Sequence, residues 1–401
     1  MERVIEHIAP DEFQMESARW TSGRNALMLA ALVSILASIG GYFVNTDRFM
    51  QSYLVAFAFT MVIGLGALFF TQVQYLSGSA WSVVIRRIME NMMWVIPTCA
   101  VLFIPIALNL DTIYPWTDRA YMASNELLRG KAGFLSPTPF IIRSYIYIGL
   151  WSLWVWRIYS NSIKQDTERS AQRMHAISRW SAPGLPLVVV VGTLASFDWL
   201  MSLEPEWYST IFGLYYLSDG ALAVMAVMTL VCMSMAKSGV MRKTLSHEHF
   251  HDLGKWLFAM TCFYTYIAFS QYMLIWYADM PEETVFFRNR AEGEWLILSL
   301  ALPFIRFFIP FFTLLSRPSK RVLGPIRFIA VWSLVVVYLD MYWLVMPNFH
   351  PDGFDFYWTD LAALGTTLSL AGLAFWYKFR RNKIVPVGDL RLQHSLHFEN
   401  V

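Results

Sequence analysis

Long apolar runs separated by short polar joints dominate this chain and leave it few ways to fold. Ten segments are about twenty residues long and almost free of charge: about 26–44, 52–75, 84–109, 140–159, 184–203, 209–235, 254–277, 295–316, 325–346 and 358–378. Twenty apolar residues in a helix span the roughly 30 Å hydrocarbon layer of a bilayer. Inside that layer a backbone satisfies its own polar groups only as a helix or a closed barrel. These runs are continuous, without the period-two alternation of a barrel strand, so the expected class is an all-α polytopic membrane protein. Composition agrees, with 56% hydrophobic and 15% charged residues, where a soluble domain carries about 25% charged residues.

The joints are too short to hold a soluble domain, so residues 1–401 read as one integral membrane domain. It has an N-terminal segment over 1–25 and a C-terminal tail over 379–401. The longest joint, about 110–139, contains Pro115, Gly130, Gly133, Pro137 and Pro139 and is expected to be an ordered external loop. If all ten runs cross, both termini share a side. That side holds 23 lysines and arginines against seven on the other, and the excess marks it as cytoplasmic. The first residues carry Glu2, Glu6, Asp11, Glu12 and Glu16 without a short apolar core, unlike a cleavable signal. The net charge of +2 and the lack of a basic run give no sign of a nucleic-acid partner.

Ionisable groups within such runs are expensive and usually face a bundle interior or a wet cavity. Asp198 sits near the end of the fifth run in SFDWLMSLEPEWY, and Asp219 lies about ten residues into the sixth, close to mid-membrane. Tyr215 and Tyr216, four and three residues before Asp219, are expected on its helix face. Arg306 stands between Pro303 and Pro310, and Asp340 lies six residues from the end of its run, where it either reaches water or is buried. Thr261, Thr265 and Gln271 form a polar stripe, readable as interhelical glue or as part of a path. Glu90 follows Arg86 and Arg87 by four and three residues, the spacing of an ion pair on one helix face. Together these residues are candidates for a proton path. The competing reading is that arginines hold the acids as structural locks, above all if Arg306 pairs directly with Asp219.

Asp198 is followed seven residues later by Pro205, and Asp340 seven residues later by Pro347, in runs four apart. The echo fits two related four-helix units, 52–203 and 209–346, flanked by the first and tenth runs. Histidine is missing from the runs. His7, His175, His247, His249, His251, His350, His394 and His397 all fall outside them, so a membrane-haem site is not expected. The His247–His251 cluster reads as a solvated loop, and Cys99, Cys232 and Cys262, without CxxC or CxxCH spacing, read as packing residues. No redox centre or metal site in this chain is expected.

Several stretches resemble the membrane subunits of bacterial alternative complex III, a quinol-oxidising respiratory complex. They are SGSAWSVVIRRIMENM (77–92), SPTPFIIRSYIYIGLW (136–151), ASFDWLMSLEPEWYSTIFGLYY (195–216), DLGKWLFAMTCFYTYIAFSQYMLIWYADMPEET (252–284) and IPFFTLLSRPSKR (309–321). The resemblance implies a polysulfide-reductase-type (NrfD-like) membrane subunit of the bacterial cytoplasmic membrane, similar to the F subunit, with two four-helix bundles. It implies as partners a homologous quinol-binding subunit, an iron–sulfur protein and multi-haem c-type cytochromes, so that haem c, iron–sulfur clusters and quinol lie outside this chain. It also implies a structural and proton-conducting role, with an inert scaffold or a second quinol site among runs 2–5 as alternatives. On this reading the SLEPEW turn faces the external redox subunits.

Overall fold

A computed structural model describes residues 13–399, so His7 and most of the acidic N-terminal residues lie outside it. The described residues are helical, with turns and no strand. Ten long helices organise them: α1 (Ser17–Val44), α2 (Thr46–Leu76), α3 (Val83–Leu108), α4 (Pro137–Gln165), α5 (Ala171–Trp199), α6 (Phe212–Lys237), α7 (His247–Ala278), α8 (Trp295–Leu315), α9 (Leu323–Val345) and α10 (Trp358–Arg381). Seven of these, α1, α2, α3, α5, α6, α8 and α9, are long and apolar enough to cross a membrane. The other three are as long but more polar. Helix α4 carries Arg143, Arg157 and Lys164, α7 opens on a charged turn and is rich in tyrosine, and α10 ends on Lys378, Arg380 and Arg381.

Helix α2 is the axis of the molecule. Of its most apolar window, 94% is buried, so it is wrapped on every side, as its all-round hydrophobicity requires. It packs on α3 and α5, and α4 packs on the same two; α6 and α8 each pack on α7 and α9. The two rings meet where α2 and α5 touch α6, and α10 lies along α1 and α2. At the α2–α6 crossing Gly66 and Gly220 face one another, and a Cβ on either would run into the other helix's backbone. Small residues let helices approach closely in a membrane protein. Gly220→Val is therefore expected to cost about 1–3 kcal/mol by overpacking, read as a lower melting temperature in detergent; an unchanged value would show that the crossing can open.

Two stretches outside the long helices take a definite form. The 110–139 stretch is a cap of short helices, including Arg119–Ala123 and Glu126–Lys131, with Tyr114 and Trp116 buried beneath it. The C-terminal tail is part of the fold. Ile384, Val385 and Val387 are buried, and the short helix Leu392–Leu396 packs under the start of α3. There Ser395 accepts from the Val84 amide and donates to the Trp81 carbonyl. The end of the bundle holding this tail is called the tail end; the opposite end carries the SLEPEW turn.

Candidate functional site

A buried cluster of three charged residues lies inside the α6–α9 ring. Asp219 sits seven residues into α6, roughly 10 Å from the turn end at 1.5 Å per residue. It is thus shallower than its run suggested, because α6 begins only at Phe212. Arg306 reaches it from α8 and makes a direct ion pair. The same guanidinium lies 3.2 Å from Asp340 Oδ1 on α9. Asp219, Arg306 and Asp340 are all buried, so Asp340 does not reach water at its end of the run.

Local sequence explains how one arginine serves two acids. Pro303 lacks an N–H, and the helix continues as a wide π-turn over Phe304–Phe308, the kind of break that proline forces. Trp332 donates to the Ile305 carbonyl at 2.6 Å within that turn. The break turns Arg306 inward while its neighbour Phe304 stays exposed.

Asp340 has further partners. Tyr215 donates to its Oδ1 at 2.8 Å, and the Tyr264 hydroxyl of α7 lies 3.0 Å from the same oxygen and 2.7 Å from the Tyr215 hydroxyl. The Arg306 guanidinium stacks over the Tyr264 ring, 3.2 Å from its centroid. Asp340 Oδ2 has no partner. Two carboxyl groups therefore share one guanidinium, each keeps an oxygen without a partner, and Asp340 alone has two phenols at hand.

A cavity of about 680 Å³ opens beside this cluster, between α7, α8, α9 and the short helix Pro281–Asn289. Tyr215, Tyr264, Arg306 and Asp340 form its inner end, and Thr265 and Gln271 line it further out. The Thr261/Thr265/Gln271 stripe is thus split. Thr261 and Thr265 donate to carbonyls of their own helix, which spends their hydroxyl protons, and only Gln271 keeps an unpartnered buried oxygen. Tyr216 also leaves the group, since its hydroxyl donates to the Ala58 carbonyl of α2 at 2.8 Å.

The other candidates form separate clusters. Asp198 is held by Arg143 of α4 through two hydrogen bonds, at 2.9 and 2.7 Å, and accepts from Tyr147 at 2.9 Å. At the tail end Arg87 pairs with Glu90 at 3.0 Å and Asp166 at 2.9 Å, while Tyr75 donates to Glu90 at 2.6 Å. Arg86 turns away from Glu90 and pairs with Asp389 of the tail at 2.7 Å. Among the described residues no hydrogen bond or ion pair joins these clusters to the Asp219–Asp340 group. A continuous polar string from Asp198 through Asp219 to Arg86, Arg87 and Glu90 is therefore not what the chain builds. Asp198 and Asp219 are each met by an arginine from another helix, and Glu90 by Arg87 of its own.

The SLEPEW turn is tied into the bundle. Glu204 pairs at 2.7 Å with Arg290, whose guanidinium donates to the carbonyls of Phe286, Trp343 and Leu344. Trp207 stacks on Phe286 at 4.2 Å and donates to the Glu283 carbonyl. Half of the motif is thus an internal key that fastens the α5–α6 turn to the segment before α8. Only Glu206 and Tyr208 point outward.

Eight residues of these clusters escaped the sequence reading: Tyr75, Arg143, Tyr147, Asp166, Glu204, Tyr264, Arg290 and Asp389. Arg143 and Tyr147 stand four apart on a helix, and Tyr264 and Gln271 seven apart, so each pair shares a face; that spacing was the available signal. The His247/Glu248/His249/His251 group is no loop. It forms the first turn of α7, with His249 closing a capping box on Ser246. Among the described residues no group of three or more such side chains could hold a metal ion. Cys99 and Cys232 are buried packing residues and Cys262 is half-buried. No family model matches the chain, and no curated protein matches it.

Proposed function

We propose that the chain is an integral membrane subunit of a bacterial respiratory quinol-oxidising complex of the alternative complex III type. It would cross the membrane ten times, with α2–α5 and α6–α9 as two related four-helix units and both termini in the cytoplasm. The quoted stretches support this reading, the long FSQYMLIWYADMPEET string above all. The packing of the two rings supports the repeat, and so does their chemistry. In each unit the aspartate seven residues before a proline is held by an arginine from the preceding long helix, Asp198 by Arg143 and Asp340 by Arg306. The subunit holds its complex together beside a quinol-oxidising partner, with haem c and iron–sulfur clusters carried by other subunits.

The proton-conducting role rests on one observation, the two carboxyl groups that share Arg306. Asp219, in direct contact with the guanidinium, is the fixed counter-ion. Asp340, with its two phenols, is the group that exchanges a proton. The scaffold reading retains support from Asp198, whose two oxygens are both occupied by Arg143. Asp340→Asn separates the readings. Conduction predicts an assembled complex with fewer protons moved per electron in vesicles, and a scaffold predicts unchanged coupling.

Complex membership has its own test. Purification in mild detergent is expected to bring down multi-haem cytochrome c and an iron–sulfur protein with this chain; a lone, colourless chain from native membranes would refute membership. For topology, Glu206→Cys and Asp352→Cys are expected to react with an impermeant thiol reagent in intact cells. Arg169→Cys and Lys320→Cys are expected to react only after permeabilisation, and reversal at either pair would overturn the arrangement.

A further inference from the structure

The first and last long helices meet at the tail end, where α1 begins and α10 closes. Trp20 donates to the Trp376 carbonyl at 3.2 Å, and Trp376 donates to the Trp20 carbonyl at 2.9 Å. Gly23 makes room for this crossing, since a Cβ there would land on the Trp376 ring. The reciprocal pair fixes the Trp20 ring, which is 6% exposed. That one ring carries two cations. The Arg24 guanidinium lies 5.2 Å from its centroid and the Arg380 guanidinium 4.7 Å, the separation of a cation–π contact.

Neither cation has an acid to answer it. Arg24 donates only to the Asn25 side chain, and the Arg380 side chain has no hydrogen bond or ion pair among the described residues. The arginines inside the two rings differ, since Arg87, Arg143 and Arg306 each meet a carboxylate. Arg24 stands just before the first apolar run and Arg380 just past the tenth. Both therefore lie where hydrocarbon gives way to headgroups. From Arg24 toward the membrane centre, Met28, Leu32 and Leu36 follow at four-residue steps and are 53%, 57% and 59% exposed. They form an apolar strip on the outside of α1.

A ligand for this place needs negative charge at two guanidiniums and an apolar body that continues along α1. A phospholipid supplies both, because guanidinium suits phosphate in charge and in hydrogen-bond geometry. Free phosphate leaves the strip bare, and an acidic peptide has no acyl chain to lay on it. A zwitterionic headgroup brings its own ammonium beside two cations, and an anionic headgroup does not. We propose that Arg24, Arg380 and Trp20 form a site for an anionic phospholipid, its headgroup at the two guanidiniums and an acyl chain along Met28, Leu32 and Leu36. The proposal rests on α1 and α10 lying in a bilayer and not on membership of a larger complex.

The test uses detergent-solubilised membranes containing the full chain, a phosphatidylglycerol with a photoactivatable acyl chain, and mass spectrometry of the adducts. Adducts are expected on α1 between Met28 and Leu36. Unlabelled phosphatidylglycerol should remove them, and phosphatidylcholine or inorganic phosphate at the same concentration should not. Arg24→Gln and Arg380→Gln are each expected to weaken labelling about fivefold, the worth of one basic side chain at an anionic surface. The double variant should weaken it further, and Arg169→Gln, at an exposed residue of the same end, should leave it unchanged. If a glutamine variant fails to accumulate, the parent decides: raising the ionic strength should weaken its labelling, and labelling indifferent to salt would overturn the proposal. Equal removal by phosphatidylcholine would also overturn it, as the mark of ordinary lipid contact. So would labelling unchanged in a folded double variant, or labelling removed by inorganic phosphate or by a poly-glutamate peptide.

Discussion

Arg306→Leu is expected to leave little folded protein in the membrane. The substitution strands Asp219 and Asp340 together in a buried site, each without its cation. Removing one partner of a buried ion pair costs about 3–5 kcal/mol in typical cases, a large share of the roughly 5–15 kcal/mol that holds a domain together. Here one cation serves two acids, which places the effect at the upper end. Arg306→Lys should fall between, because an ammonium keeps the charge without a planar fork to bridge two carboxylates. The double variant Arg306→Leu with Asp219→Asn should recover much of the lost material. It leaves Asp340 as the remaining acid, still bonded to Tyr215 and Tyr264. Yield and melting temperature in detergent read all three, and an Arg306→Leu protein as stable as the parent would show that the site is open to water.

Asp389→Asn should be nearly as damaging, although Asp389 lies in what the sequence presents as a polar tail. Its side chain is 1% exposed and that of Arg86 is fully buried, and the two meet at 2.7 Å. The substitution leaves the buried Arg86 charge without its counter-charge, facing only neutral acceptors such as the Ser79 carbonyl and the Ser82 hydroxyl. Truncation after Asn382 adds the loss of Ile384, Val385 and Leu392 from the core. The pH dependence has a definite sign. Burial pushes the Asp389 carboxyl up, but the charges of Arg86 and Arg391 outweigh it and hold the group below the usual carboxylate range. A carboxyl depressed in the folded state stabilises fully above its unfolded value, near 4, and loses that contribution as pH falls through the folded value. The tail should therefore stay docked at neutral pH and loosen only in acid below about pH 4. Proteolysis of the tail as a function of pH measures this; release near pH 6 would contradict the assignment.

The sequence was most legible where spacing along one helix decides the outcome. Arg87 and Glu90 pair as their separation of three residues implies, and the apolar runs mark where the long helices lie. It was least legible where partners come from distant helices. Asp340 had two open fates on sequence, and its burial depends on a proline break in α8 that aims Arg306 at it. Tyr215 and Tyr216 looked equivalent, yet one bonds Asp340 and the other a carbonyl of α2. Asp198 and Asp219 looked like neighbours in one string, and each instead belongs to the ring that its own helix builds. Arginine in α4, tyrosine in α7 and the basic end of α10 make these three the more polar of the ten long helices.

The tail contact has a consequence for how the chain is made. Arg86 belongs to the third long helix, and its counter-charge arrives 303 residues later. At about 5–20 residues per second, a ribosome needs roughly 15–60 s to supply it. During that interval Arg86 lacks Asp389, and Glu90, four residues on, is the acid within reach on its own helix. Arg48, at the start of α2, waits in the same way for Asp360 of α10. The Arg48 and Arg86 pairs therefore close only after the tenth long helix and the segment that follows it have been made.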